Sequence, residues 1–110
     1  MYIIIVGGGK VGYYLAKTLI SYKHKVIVIE PVKDMCEKVA NELNIPVCNG
    51  DGTTIDILTE MNTSKADIFI AVTGRDEDNL IACQLAKRKG RPPRGAVKRT
   101  GLRRQIFCPR

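Results

Sequence analysis

Short apolar runs alternate with helix-period segments along the chain, and no other feature of the sequence restricts the possible folds as strongly. Runs rich in Ile and Val predict strands at Tyr2–Val6, Val26–Ile29 and Ile68–Val72, and Val47–Cys48 is a shorter fourth candidate. Unbroken apolar character over so few residues is typical of a parallel strand that is buried on both faces. The runs therefore favour a parallel sheet.

Four segments with helical patterns follow these strands. A first helix is predicted over residues 10–22 and a second along the apolar stripe Cys36–Leu43. Thr53 and Asp56 have the spacing of a capping box and predict a short third helix. The fourth, residues 76–90, has acids in its first turn and bases in its last, which complement the helix dipole. This alternation predicts a Rossmann-like parallel sheet with helices on both faces.

Ligands of such sheets bind at the carboxyl ends of the strands, and a glycine-rich turn lies at the first of these ends. Gly7, Gly9 and Gly12 match the pattern G-x-G-x-x-G, directly after a predicted strand and directly before a helix. Gly7 permits the tight turn, Gly9 allows the backbone to approach a pyrophosphate, and Gly12 allows close packing of helix on strand. Lys10 and Val11 lie inside the loop. Lys10 is interpreted either as a point charge that reaches a phosphate or as a solvated lysine at a helix start.

Glu30 provides an independent signal for the same ligand. It ends the second predicted strand, 18 residues after Gly12, where an acid is expected to accept hydrogen bonds from the ribose hydroxyls of an adenosine. Because a carboxylate repels a 2′-phosphate, NAD(H), ATP or ADP is favoured over NADP(H). The alternative is a solvated carboxylate beside Pro31.

Basic and acidic residues are unevenly distributed. The chain has 18 Lys and Arg against 11 Asp and Glu, for a net charge of +7, and such a charge invites a nucleic-acid interpretation. All the acids and eleven of the bases lie within residues 1–90, so that segment is neutral, and the whole excess lies in residues 91–110. We therefore expect a nucleotide-binding core at 1–90 followed by a basic tail at 91–110. The core gives no reason to expect a nucleic-acid partner.

Two further motifs move the interpretation from a fold to a family. Asn49–Thr53 reads N-G-D-G-T after the third strand, and Ala71–Leu80 reads A-V-T-G-R-D-E-D-N-L after the fourth. Together with the glycine loop and Glu30, these segments resemble the N-terminal RCK/KTN domain, of the TrkA-N type. That domain occurs in the cytoplasmic regulatory proteins of Trk and Ktr potassium-uptake systems. The resemblance covers residues 1–90.

The resemblance implies a regulator rather than an enzyme. It places Asp51 and Gly52 near the adenine, Thr73 and Gly74 beside the phosphates, and Lys10 facing the phosphates. For Asp51 the alternative is a turn residue ahead of the helix. The implied partners are a membrane potassium transporter and further copies of the chain, as a dimer or a larger ring. The implied location is the cytoplasm, at the inner face of the membrane.

The resemblance weakens after residue 90. Relatives continue through a fifth strand, a sixth strand and a helix that assists dimer formation. Here Ala96–Thr100 is expected to form strand five and Arg103–Phe107 a stub of the next helix, so the fold is expected to be truncated after strand five.

Other functions have less support. The alternative function is the cofactor-binding fragment of an NAD-dependent dehydrogenase, but His24 is the only histidine and no acid or base partner is placed near the cleft. No metal site is expected, because no Cys-x-x-Cys pair exists among the four cysteines. The apolar runs are far shorter than the roughly 20 residues of a membrane helix, and no signal peptide is expected at Met1.

Overall fold

The computed structural model describes residues 1–90 and 105–107 of the chain. Strands and helices alternate as the sequence predicts. In chain order the elements are β1 Tyr2–Val6, α1 Lys10–Ser21, β2 Lys25–Glu30, α2 Lys33–Leu43, β3 Val47–Asn49, α3 Ile55–Glu60, a 3₁₀ turn Thr63–Lys65, β4 Ile68–Ala71, α4 Asp76–Gly90 and β5 Gln105–Phe107.

The five strands form one parallel sheet in the order β3-β2-β1-β4-β5. The chain builds outwards from β1 to β3 and then crosses back to place β4 on the other side of β1. The direction of winding therefore reverses between β1 and β4, and open α/β sheets bind their ligands at such a reversal, outside the carboxyl ends of the strands. The predicted Rossmann-like fold is confirmed.

Alternate residues of β1 serve two cores, because successive side chains of a strand point to opposite faces. Ile3 and Ile5 pack with Ala16 of α1 and Val39 of α2 on one face. On the other face, Ile4 and Val6 belong to a second cluster with residues of α3, β4 and α4, namely Leu58, Phe69, Ala82, Cys83 and Ala86. Both faces of the sheet are thus covered. No helix in the described part of the chain is long and apolar enough to cross a bilayer.

The expectations for the tail have two outcomes. Ala96–Thr100, the expected fifth strand, lies outside the described residues. The prediction of a helix at Arg103–Phe107 is wrong for Gln105–Phe107, the part of this range that the structure describes. These residues form β5, which pairs in parallel with Ile68–Ile70. A helix of a few residues cannot recover its nucleation cost, whereas the open edge of β4 offers unpaired backbone groups.

Candidate functional site

A cavity of about 500 Å³ opens at the carboxyl ends of β1, β2, β3 and β4. It is bordered by the turns that follow these strands, so segments far apart in sequence meet around one space. Its lining consists of Val6, Gly7, Gly9, Lys10, Val11, Glu30, Pro31, Met35, Asp51, Gly52, Thr53, Val72, Thr73, Gly74, Arg75 and Asp78. Nine of the ten residues predicted for the site are in this lining.

Gly12, the tenth, lies behind the loop. A Cβ atom at Gly12 would be 1.8 Å from the carbonyl oxygen of Gly7, so only glycine lets α1 start this close to the turn. Gly7 itself has a φ of +119°, and a Cβ there would be 2.9 Å from the carbonyl oxygen of Val72. The first and third glycines therefore shape the loop against α1 and the end of β4.

The N-terminus of α1 faces the cavity without a cap. Gly9 is the N-cap residue, no side chain accepts a hydrogen bond from the helix start, and the first turn has no acid. The first four N–H groups of a helix lack partners within the helix and carry a partial positive charge. Lys10 and Val11 in this first turn are exposed. This end of the cavity is therefore suited to an anion.

The carboxylate of Glu30 is buried beside the loop, with 5% of the residue exposed. Its Oε1 accepts a hydrogen bond from the N–H of Gly8 at 2.7 Å, and its Oε2 accepts one from the N–H of Val32 at 3.0 Å. The alternative of a solvated carboxylate is therefore wrong. Each carboxylate oxygen accepts more than one hydrogen bond, so this arrangement holds the glycine loop and leaves acceptor capacity beside the cavity.

Asp51 forms the turn after β3. Its Oδ1 accepts hydrogen bonds from the N–H and the hydroxyl of Thr53, at 2.8 and 2.6 Å. These bonds stabilise the ionised form and lower the pKa of Asp51 below its ordinary value.

The predicted capping box is wrong, because Thr54 is the N-cap of α3 and the hydroxyl of Thr53 is bound to Asp51. A Cβ on Gly52 would be 2.5 Å from Cγ1 of Val6, so this turn lies tightly on the end of β1.

The turn after β4 is fastened to α4. Oδ1 of Asn79 accepts hydrogen bonds from the N–H and the hydroxyl of Thr73, at 2.8 and 2.6 Å. Arg75 forms exposed ion pairs with Glu77 at 3.6 Å and Asp78 at 3.4 Å. Gly74 is exposed, and apart from Gly74 and its two chain neighbours no atom of the described residues lies within 4 Å of the place that a Cβ on Gly74 would take. Asp76 and Glu77, which need no ligand to explain them at a helix start, are not part of the cavity lining.

Seven lining residues were not predicted from the sequence. Some of them directly adjoin predicted residues, so the pattern of strand ends could have indicated them. Met35, in the first turn of α2, carries no such signal, because its place depends on how α2 packs beside the loop. The seven are Val6, Pro31, Met35, Thr53, Val72, Arg75 and Asp78.

Residues 3–100 match the model of the TrkA-N domain family. The Trk system potassium uptake protein TrkA homolog of Methanothermobacter thermautotrophicus is 48% identical over 87 residues, covering 79% of this chain and 40% of that protein. The protein of the same name from Pyrococcus abyssi is 40% identical over 87 residues, covering 79% of this chain and 38% of that protein. The chain thus spans about two fifths of the length of these relatives.

Several solved structures share the fold. The TrkA-N domain of inner membrane protein ybaL from Escherichia coli has a TM-score of 0.73 at 19% identity, covering 80% of this chain and 64% of that one. The GsuK channel bound to NAD has a TM-score of 0.71 at 23% identity, covering 79% of this chain and 16% of that one. The Kef C-terminal domain of Shewanella denitrificans in AMP-bound form has a TM-score of 0.69 at 17% identity, covering 80% and 52%.

Proposed function

The chain belongs to the TrkA-N domain family, and we propose that it binds an adenine nucleotide, NAD(H) or ATP/ADP, to regulate a membrane potassium-uptake system. The proposed action is not enzymatic. Binding shifts the domain between two conformations, and the transporter responds to that shift. A ligand can act in this way only through a difference in its affinity for the two conformations.

One observation carries the proposal: the same cavity is lined by the uncapped N-terminus of α1 and by the buried carboxylate of Glu30. The four described α-helices all begin at this edge of the sheet, and α1 is the one whose first turn has no acid. The first turn of α4 contains Asp76, Glu77 and Asp78, whereas the first turn of α1 contains no acid and includes Lys10. Phosphate groups are therefore assigned to α1, where the helix dipole and the unpaired N–H groups are not already neutralised.

Glu30 supports a ribose with a free 2′-hydroxyl. Its carboxylate borders the cavity and is fixed by two backbone N–H groups. A hydroxyl donates a hydrogen bond to such a group, while a 2′-phosphate brings a second negative charge to it at low dielectric. This is the reason for proposing NAD(H), ATP or ADP rather than NADP(H).

The relatives supply the biological setting. Those described above are named as Trk system potassium uptake proteins, and a membrane potassium transporter is accordingly the proposed partner. We further propose that the domain assembles as a dimer or larger ring and acts in the cytoplasm at the inner face of the membrane. Of the three solved structures described above, the GsuK channel was solved with NAD and the Kef domain with AMP.

The second candidate is the cofactor-binding part of a dehydrogenase, because that class of enzyme uses the same kind of sheet and glycine loop. His24, the only histidine of the chain, lies just before β2, at the amino ends of the strands, and its Nδ1 is 3.2 Å from the amino group of Met1. It is therefore at the opposite edge of the sheet from the cavity. Hydride transfer from NADH to any member of a metabolite panel would favour this candidate.

Calorimetry with NADH, ATP and ADP tests the proposal directly. Gly9→Ala is a suitable variant, since Gly9 has a φ of −76° and the nearest atom to an added Cβ is the flexible end of Met35 at 3.4 Å. The fold should tolerate this methyl group, but a phosphate against the loop should not. We expect at least about tenfold weaker binding, ~1.4 kcal/mol, with an unchanged melting temperature.

Lys17→Ala is the matched control, because Lys17 is exposed on the same helix and does not line the cavity. It should bind all three nucleotides as the wild type does. If the wild-type chain bound none of NADH, ATP and ADP saturably, the proposed function would be overturned.

A further inference from the structure

Asn79 is an amide side chain with 3% of its residue exposed, in the first turn of α4. A polar group is buried without penalty only where it is hydrogen-bonded, and Asn79 makes three hydrogen bonds to one residue. Its Oδ1 accepts from the N–H and the hydroxyl of Thr73 at 2.8 and 2.6 Å, and its Nδ2 donates to the carbonyl of Thr73 at 3.2 Å. Asn79 thus binds the backbone donor and acceptor of Thr73 and also the donor of its hydroxyl.

The backbone adds a fourth link between the same segments. The N–H of Asn79 donates to the carbonyl of Arg75 at 3.1 Å, and the N–H of Arg75 donates to the hydroxyl oxygen of Thr73 at 3.2 Å. The turn Thr73–Arg75, all of which lines the cavity, is therefore closed upon α4. The contacts between this turn and α4 converge on one buried residue, Asn79, which does not itself line the cavity.

The resemblance placed Thr73 beside the phosphates, but these hydrogen bonds give its hydroxyl a role inside the protein. Its hydroxyl has a single proton, and the shortest of its contacts, 2.6 Å, is to Oδ1 of Asn79. The hydroxyl is therefore used inside the protein rather than offered to a ligand. The part of the turn that faces open space is Gly74, where a Cβ would have no neighbour within 4 Å in the described part of the chain.

We propose that Asn79 is a positioning residue for nucleotide binding, which acts through Thr73 to hold the turn Thr73–Arg75 as a preformed wall of the cavity. The inference rests on the proposed function, since it assumes that the cavity takes a nucleotide. A wall fixed before binding lowers the ordering cost that the ligand must offset. Loss of Asn79 should therefore weaken binding although Asn79 never touches the ligand.

The test compares Asn79→Ala, Thr73→Val and Thr73→Ser, with NADH as the probe in calorimetry well below every variant's melting temperature. We expect Asn79→Ala to weaken NADH binding about tenfold and Thr73→Val about threefold or more, in line with the loss of one or a few hydrogen bonds. Thr73→Ser keeps the hydroxyl and should bind within about twofold of the wild type. Gln84→Ala, which removes an exposed amide from the same helix, is the matched control and should bind normally.

The double variant separates positioning from direct contact. If the hydroxyl of Thr73 acts through Asn79, adding Thr73→Val to Asn79→Ala should weaken binding no further, whereas a hydroxyl that touches the ligand would give additive losses. Should Asn79→Ala fail to fold, Asn79→Ser takes its place in the single and the double variant, since its shorter side chain cannot span the same three groups of Thr73. Wild-type affinity in Asn79→Ala or Thr73→Val, or additive losses, would overturn the inference. A wild-type chain without NADH binding would instead overturn the proposed function.

Discussion

At the scale of single residues, the carboxylate of Glu30 has two roles. The sequence pattern assigns it only the binding of a ribose and leaves the shape of the phosphate loop to the glycines. Glu30 is proposed to receive a ribose, and it also holds the glycine loop through Gly8 and the entry to α2 through Val32. A Cβ on Gly8 would be 3.3–3.4 Å from the Glu30 side chain, so a larger residue at position 8 would press against this carboxylate. The loop and the acid are therefore one structural unit.

Glu30→Gln should reduce both stability and nucleotide affinity. The amide places an NH₂ group opposite one of the two N–H donors, and an unsatisfied buried donor costs roughly 1–3 kcal/mol. We expect a loss of that size in urea unfolding and about tenfold weaker NADH binding in calorimetry. Glu37→Gln, at an exposed position of α2, should change neither quantity. Unchanged stability in Glu30→Gln would contradict the role assigned to the two hydrogen bonds.

Gly12→Ala should prevent folding or nearly so. The added Cβ would be 1.8 Å from a backbone oxygen of Gly7, and backbone cannot rotate away as a side chain does. Relief requires α1 to move off β1, with loss of packing between Ala16 and the strand residues in one of the two cores. We expect a loss of several kcal/mol, comparable to the more severe core substitutions, seen as a large fall in the urea midpoint. A midpoint within experimental error of the wild type would be incompatible with this contact.

At the scale of elements, most of the fold could be predicted because each strand and helix is defined by its own residues. The Ile and Val runs and the helical stripes are local signals, and the observed bounds differ from the predicted ones by only a few residues. The failures occur where a distant or neighbouring group intervenes. Asp51 binds the Thr53 hydroxyl and moves the start of α3 to Ile55, and pairing with β4 makes Gln105–Phe107 a strand.

The candidate site was predictable for a related reason. Parallel strands bring their carboxyl ends together, so residues just after strands were expected to meet, and Gly9, Glu30, Asp51 and Thr73 do line one cavity. The side chains that fasten these turns were not predictable. The three hydrogen bonds of Asn79 to Thr73 depend on the angle at which α4 leaves β4. The spacing of residues in the sequence does not predict that angle.

The turn between β3 and α3 should respond to acid. The pKa of Asp51 is lowered from its ordinary 3.8 by hydrogen bonds from the hydroxyl and N–H of Thr53. Because the folded-state pKa lies below the unfolded one, the stabilisation is fully present above the ordinary value and is lost as the pH falls through the folded pKa. In urea unfolding from about pH 5 to 2.5, Asp51→Asn should show a shallower decline than the wild type.

A second variant isolates the cause of that shift. Thr53→Val removes the hydroxyl donor, so NMR titration should return the pKa of Asp51 towards 3.8. An identical titration in Thr53→Val and the wild type would show that the hydroxyl bond does not determine it.

At the scale of the whole molecule, the net charge of +7 has a narrower meaning than it first suggests. Residues 1–90, which build four of the five described strands and the four described α-helices, contain equal numbers of basic and acidic residues. The cavity mixes Lys10 and Arg75 with Glu30, Asp51 and Asp78. Selection of an anionic ligand therefore depends on where each charge lies, with the positive end of α1 and Lys10 at the start of the helix and Glu30 held against Gly8 of the loop before it.

The buried carboxylate of Glu30 at the cavity predicts that the whole domain is stabilised by NADH more than by NADPH. A ligand that binds only the folded state adds about 2.7 kcal/mol to the unfolding free energy at a concentration of 100 times its Kd. The two dinucleotides differ by one 2′-phosphate, which would lie against Glu30, so we expect NADPH to need at least about tenfold higher concentration for the same rise in melting temperature. Thermal melts across a concentration series of each dinucleotide measure this ratio. Glu30→Gln should bring the NADPH and NADH concentrations needed for the same rise in melting temperature closer together, because the neutral amide removes the repulsion but not the phosphate site at α1. Equal stabilisation of the wild type by NADH and NADPH would contradict the place given to the ribose. If Glu30→Gln left the ratio of the two concentrations unchanged, another group would have to reject the 2′-phosphate.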